Sequence, residues 1–323
     1  MKTKKTFLIV AFAVLTLLPA LASALSETPA AVLLGCRGNV SVVKAGGQTV
    51  PGTFGMSLEP GDEVRTGADS QAEVHFDNGH WVQIGANSST QVHGAKTAVA
   101  SGSSTGSSAG EKSFEVVQNF LKLKNSEGTS SVARLRSGEK HADLRAVSPM
   151  QSKMRGGSPS FQWTVSDPSA ELRLTVYSDK GVHWQSPVPK GATSMSYPSD
   201  APALVAGVTY SWVLETTDPL VFPPLRSEAA FFEILSADEA KELEVSLAKI
   251  DQGAKPSETT HHLFYASLYF DRGLMEDAIA ETMKALEIDP QNADLHAILA
   301  RLYAETGRNE EALREYDRLL EKR

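Results

Sequence analysis

The chain has 323 residues, 41% of them hydrophobic and 22% charged, a balance that fits two or three globular domains and excludes a wholly disordered or fibrous chain. Its formal net charge is -8, and a chain this acidic is a poor nucleic-acid binder as a whole. The single cysteine, Cys36, excludes an internal disulfide framework and any zinc site built from several thiolates.

Residues 1–24 combine Lys2, Lys4 and Lys5, an apolar run from Phe7 to Leu18, Pro19, and the small triplet Ala22, Ser23, Ala24. This is the order of a cleavable secretory signal, and it predicts cleavage after Ala24 and a periplasmic or cell-envelope location. The run borders on bilayer-spanning length, so an uncleaved anchor is the alternative. Leu33, Leu34, Gly35 and Cys36 resemble a lipoprotein box. Ser26, Glu27 and Pro29 separate it from the apolar run, however, and Cys36 reads as a buried strand residue.

From 31 to 93 short alternating runs are punctuated by glycine, which predicts an all-β domain with a hairpin turn at Asp77, Asn78 and Gly79. Residues 94–111 are rich in Gly, Ser, Ala and Thr and read as a flexible linker. Residues 112–155 hold nine bases against four acids and read as a solvated basic connector or the remainder of the β domain, with a patch for an anionic partner as the functional alternative. Residues 159–235 return to six short strands, among them Phe161 and Trp163, Leu172 to Tyr177 and Thr209 to Leu214, which suggests a β-sandwich. At Ser236 and Glu239 a capping box opens helical sequence that runs from 236 to 323. This segment carries 19 acids and 11 bases and is the acidic pole of the chain.

A shift of 34 residues superposes Ala266 on Ala300, Tyr269 on Tyr303, Gly273 on Gly307 and Ala278 on Ala312. Small residues let paired helices approach, glycine turns the chain, and Pro290 is expected to start the next helix. With this period the segment 259–320 is similar to tetratricopeptide repeats, a resemblance that implies a protein- or peptide-binding scaffold. The first β domain resembles the FecR family through Gly38, Val40, Val42, Leu58, Gly61, Asp62, Val64, Thr66, Ser70, Ala72, Phe76, Asp77, Gly79, Ile84, Asn87 and Ser88. Members tied to iron-transport signalling act on a sigma factor through a cytoplasmic segment; here only Met1 to Thr6 precede the apolar run, which argues against that role. The middle segment is similar to immunoglobulin- or fibronectin-like domains through Pro159, Phe161, Trp163, Leu204, Gly207, Tyr210 and Trp212. The expected fold is thus a multidomain β + α chain: a FecR-like β domain, an immunoglobulin/fibronectin-like β-sandwich, and a C-terminal all-α repeat module.

No catalytic constellation stands out. Gly102, Ser103, Ser104, Thr105 and Gly106 match the letters of a nucleophile elbow but lie in the Gly/Ser tract, without the strand and helix that hold such a serine. The eight histidines show no zinc spacing, although His262 and His296 fall one repeat apart and a stacked metal pair on them is conceivable. The reading is a noncatalytic exported envelope scaffold with no cofactor and no metal. Its partner is a protein or peptide of the cell envelope, and a periplasmic ligand sensor or cell-wall glycan binder acting through the β modules is the alternative. Counting along the repeat places Leu263, Ser267 and Phe270 of one unit, and Ala297, Arg301 and Ala304 of the next, on the concave face as candidate partner-binding residues. The preceding helix or the sandwich could instead cover that face from within.

Overall fold

A computed structural model describes residues 29–93, 99–101, 104–110, 112–125, 144–219, 222–252 and 255–320. The expected signal segment, and the basic residues Arg134, Arg136 and Lys140, lie outside the described residues.

Alternation in the first module produces ten short strands: β1 (Ala31–Arg37), β2 (Val40–Val43), β3 (Thr49–Pro51), β4 (Met56–Leu58), β5 (Glu63–Thr66), β6 (Gln71–Phe76), β7 (His80–Ile84), β8 (Ser89–Gln91), β9 (Val99–Ser101) and β10 (Ser104–Ser108). They form two five-stranded sheets, ordered β10-β7-β6-β1-β4 and β3-β2-β5-β8-β9. Leu33, Val42, Leu58, Val64, Val74 and Ile84 fill the core of this module. Its turns use the expected chemistry. Gly79, at φ 78°, closes the β6–β7 hairpin. Asp62 is buried behind Gly61, where Lys44 Nζ (2.7 Å) and the N–H groups of Ala45 (3.1 Å) and Glu59 (3.0 Å) donate to its carboxylate. Burial alone would raise that carboxyl's pKa, and these donors hold it below the usual range instead.

The Gly/Ser tract differs from the expected linker. β9 pairs with β8, and β10 pairs with β7 over five residues from Ser104↔Ile84 to Ser108↔His80, so the tract supplies an edge strand to each sheet. Its glycine serves close approach: a Cβ on Gly106 would sit 2.6 Å from the Trp81 carbonyl oxygen. Gly106→Ala is therefore expected to destabilise the protein by about 1–3 kcal/mol, read as a shift of the urea midpoint, whereas Thr105→Ala leaves it nearly in place. Ser104 accordingly belongs to a sheet-edge strand paired with β7, while Gly102 and Ser103 lie outside the described residues. Cys36 also departs from expectation. It lies in β1 opposite Ala72 but is exposed.

The second β module begins earlier than the expected residue 159. β11 (Leu144–Ser148) and β12 (Ser152–Met154) join β13 (Ser160–Val165), β14 (Leu172–Ser178), β15 (Gly181–Pro187), β16 (Ser194–Ser196), β17 (Thr209–Thr216) and β18 (Ala230–Ile234). A three-stranded sheet, β11-β13-β16, faces a five-stranded sheet, β12-β18-β17-β14-β15. Phe161, Trp163, Tyr210, Trp212 and Phe232 lie in the core between them, with Trp212 Nε1 donating to the Pro149 carbonyl at 2.8 Å. These aromatics are packing residues.

Six α-helices are described: α1 (Ser113–Leu121), α2 (Ala237–Asp251), α3 (Glu258–Asp271), α4 (Met275–Ile288), α5 (Ala293–Glu305) and α6 (Asn309–Leu320). The capping box at α2 is complete, with Ser236 and Glu239 bonding reciprocally. Helices α3/α4 and α5/α6 form two hairpins. Ala266, Ala278, Ala300 and Ala312 are fully buried where the helices cross, and Gly273 and Gly307 turn the chain at φ 72° and 69°. Pro290 is set back from its expected place at the helix start, since Asn292 caps α5 by accepting from the Leu295 N–H.

Candidate partner-binding groove

The first helix of each hairpin, α3 and α5, lines one side of the repeat module, and that side is turned toward the first β module. The spacing of Phe114, Val117, Phe120 and Leu121 puts four apolar side chains on one face of α1, and all four are buried. They share a single core cluster with Val32, Leu34 and Trp81 of the β module and with Leu263, Phe264, Leu268 and Leu302 of the repeats. The geometry follows from the strand period. Along β1, Ala31 and Leu33 point into the β core, while Val32 and Leu34 point out under α1. Val32, His75 and Trp81 lie side by side on that outer face through the pairs Val32↔His75 and His75↔Trp81.

Two polar residues on this face are buried with partners. His75 is fully enclosed, its ring edge-on to Phe114 (5.6 Å) and Phe264 (5.0 Å), with Nε2 3.0 Å from Ser113 Oγ. Burial pushes its pKa down to about 3, so the imidazole is neutral at ordinary pH. Glu73 accepts from Gln83 Nε2 (3.0 Å) and from the N–H (2.6 Å) and hydroxyl (2.8 Å) of Ser257, the N-cap of α3. A carboxylate at a helix N-terminus is electrostatically favoured there, and this one ties the β sheet to the repeat module. Glu73 and Ser257 lie in a cleft of about 720 Å³ between the two, which Cys36, Arg37 and Asn292 also line.

Charge explains the rest of the docking. Of the basic residues in the 112–155 segment, Lys124 pairs with Asp294 (3.1 Å), Arg145 with Glu311 (3.8 Å), Lys153 with Glu239 (2.7 Å) and Arg155 with Asp277 (2.7 Å). Each of these acids belongs to the acidic helical segment, so these four bases find anionic partners within the chain itself, and Lys153 also reaches Glu233 of β18 (3.1 Å). The pair with Lys153 holds the Glu239 carboxyl down at about 2. Each half-exposed pair contributes between 0 and about 1 kcal/mol; together they fix orientation more than stability. The hairpin turns rest on the sandwich, where Lys153 N–H donates to the Gly273 carbonyl (2.8 Å) and Arg308 Nε to that of Val147 (3.3 Å) while its guanidinium pairs with Glu276.

Leu263 and Ser267 are buried, and Phe270 packs 5.7 Å from Phe120, so the first unit's part of the expected face is covered by α1. The second unit differs. Ala297, Arg301 and Ala304 remain half-exposed, with Arg301 paired to Glu305 one turn on. The sequence assigned possible cover to the helix before the repeats or to the sandwich; α2 does pack in the same cluster through Leu243 and Ile250, and α1, whose apolar spacing was the available signal, adds a cover that reading did not include.

His262 and His296 do not meet as a metal pair. Each points to the second helix of its own hairpin, with Nδ1 2.6 Å from Glu281 and Glu315 respectively, and those acids also accept from Lys284 (2.8 Å) and Arg318 (2.9 Å). All three positions recur after 34 residues, making a repeated polar tie across each hairpin. Burial would raise the Glu281 carboxyl, and Lys284 and His262 together keep it below its usual range. No group of three or more potential metal ligands occurs among the described residues, and no helix among them is long and apolar enough to cross a membrane.

Residues 269–323 match the tetratricopeptide repeat family. No curated protein matches the chain. Among the described residues the match covers the end of α3 and the helices α4, α5 and α6, and repeats of this class generally bind protein partners.

Proposed function

We propose that this protein is a noncatalytic, exported scaffold of the cell envelope, in which a FecR-like β module and an immunoglobulin/fibronectin-like sandwich present a short tetratricopeptide array to a protein partner. The observation that carries this reading is the pairing of a repeat match with a half-open groove. Helix α1 fills the first unit's half, and Ala297, Arg301 and Ala304 leave the second half accessible. Small residues beside a guanidinium give a shallow surface that suits an extended segment carrying a carboxylate, since Arg301 can exchange Glu305 for a bidentate partner. The lysine-led apolar segment at residues 1–24 supports export.

The test is capture from native envelopes by the full-length protein. Arg301→Glu is expected to weaken recovery of the partner at least tenfold, with the melting temperature within about 2 °C of the parent, because the residue is surface-held. Equal recovery by both proteins removes the second-unit groove as the site. Recovery of purified peptidoglycan by both in place of protein favours the glycan-binding alternative.

A further inference from the structure

Beside α1 the repeat face retains a separate cavity of about 490 Å³, bounded by α1, α2 and α3, a size within the range of small-ligand sites. Its apolar walls come from Val116 and Val117 of α1, Ile250 of α2, and Phe264 and Leu268 of α3. Its charged lining residues are three cations, Lys112, Lys249 and Arg272, and one acid, Asp271, so the walls are net cationic in an acidic module. Lys112 and Lys249 line it from opposite helices, and neither pairs with an acid among the described residues. Arg272 lies at the end, held by Glu242 at 2.9 Å, and its Nε is buried without a hydrogen-bond acceptor, Asp271 being 3.8 Å away.

The hydroxyls decide what sort of molecule fits. Ser113 donates to the Gly110 carbonyl (2.6 Å), Ser246 to that of Glu242 (2.9 Å) and Ser267 to that of Phe264 (2.8 Å), while Ser108 accepts from the Gly110 N–H (3.3 Å). The hydroxyl protons of Ser113, Ser246 and Ser267 are thus already committed, so apart from Ser108 and the cations the wall side chains offer few donors to the C=O groups of a peptide backbone, which would be left largely unpaired. A hydrocarbon chain carries no such groups, and its burial against the valines, Ile250 and the phenylalanine is favourable. We propose that this cavity binds an anionic amphiphile, with the chain between α1 and α2 and the carboxylate or phosphate head at Lys112, Lys249 and Arg272.

Full-length protein titrated calorimetrically with dodecanoate and with dodecyl phosphate, below their micelle concentrations, should bind one molecule of either. Dodecyltrimethylammonium should not bind. The double variant Lys112→Glu/Lys249→Glu should weaken dodecanoate at least tenfold at unchanged melting temperature, since both lysines are exposed. Val116→Trp, which occupies the cavity, should abolish binding. No heat with either anion, equal affinity for the cationic amphiphile, or undiminished affinity in the lysine variant would each overturn the site. Tighter binding of an apolar hexapeptide with a free C-terminal carboxylate than of dodecanoate would replace the amphiphile with a peptide ligand.

Discussion

Truncating Phe120 to alanine is expected to destabilise the protein by about 3–5 kcal/mol, the largest effect of any single change considered. The ring is fully buried, contacts Phe270 at 5.7 Å, and belongs to the cluster that also holds Val32 and Trp81 of the β module. The cost depends on whether the surroundings can collapse into the space left behind. Here the walls come from a β sheet, α1 and a helical hairpin, each fixed by its own hydrogen-bonded frame, so relaxation is small and the effect lies high in the range. Chemical denaturation followed by far-ultraviolet circular dichroism gives the number. A loss under 1 kcal/mol would mean that α1 contributes little to holding the repeats against the β module, and the account of the filled half-groove would fall with it.

How much of this was legible in the sequence depended on whether a segment's partner was local or distant. The repeat hairpins were readable because the small residues Ala266, Ala278, Ala300 and Ala312 and the turn glycines recur at a fixed period and need no other part of the chain to make sense. The hairpin at Gly79 and the capping box at Ser236 were readable for the same reason. The Gly/Ser tract misled, since composition describes what a segment can bury and says nothing of the strand edge that receives it; Gly106 is there because β7 passes at 2.6 Å from where a side chain would be. The 112–155 segment was the hardest. Its scattered bases have acids as partners more than 80 residues away, as Lys153 with Glu239 and Lys124 with Asp294 do, and no local pattern announces such pairs. Glu73 and His75 were hidden in a different manner. They alternate with Ala72 and Val74, the pattern of a strand with one wet face, yet the face they occupy is covered by α1 and α3.

That covered face sets the second large expectation, a loss of stability in mild acid. The His75 imidazole has its pKa pushed from about 6.5 to about 3 by burial, so the folded protein holds it neutral while the unfolded chain takes up a proton below pH 6.5. The sign follows. The contribution is complete above pH 6.5 and is lost progressively as the pH falls toward 3, amounting to about 2 kcal/mol by pH 5. His261, also depressed by burial despite its Asp251 neighbour, acts in the same direction. The carboxyls held low, such as Glu239 and Asp62, begin to lose their contribution only below about pH 4.5. A comparison between pH 7.5 and pH 5 therefore reads the histidines. His75→Phe keeps an aromatic ring between Phe114 and Phe264 and frees Ser113 of its ring contact, while Ser113 still donates to Gly110. The variant should lose most of the parent's decline over that interval. If parent and variant melt with the same dependence on pH, the imidazole is reached by solvent, and the close fit of α1 and α3 over the sheet is not what governs the junction.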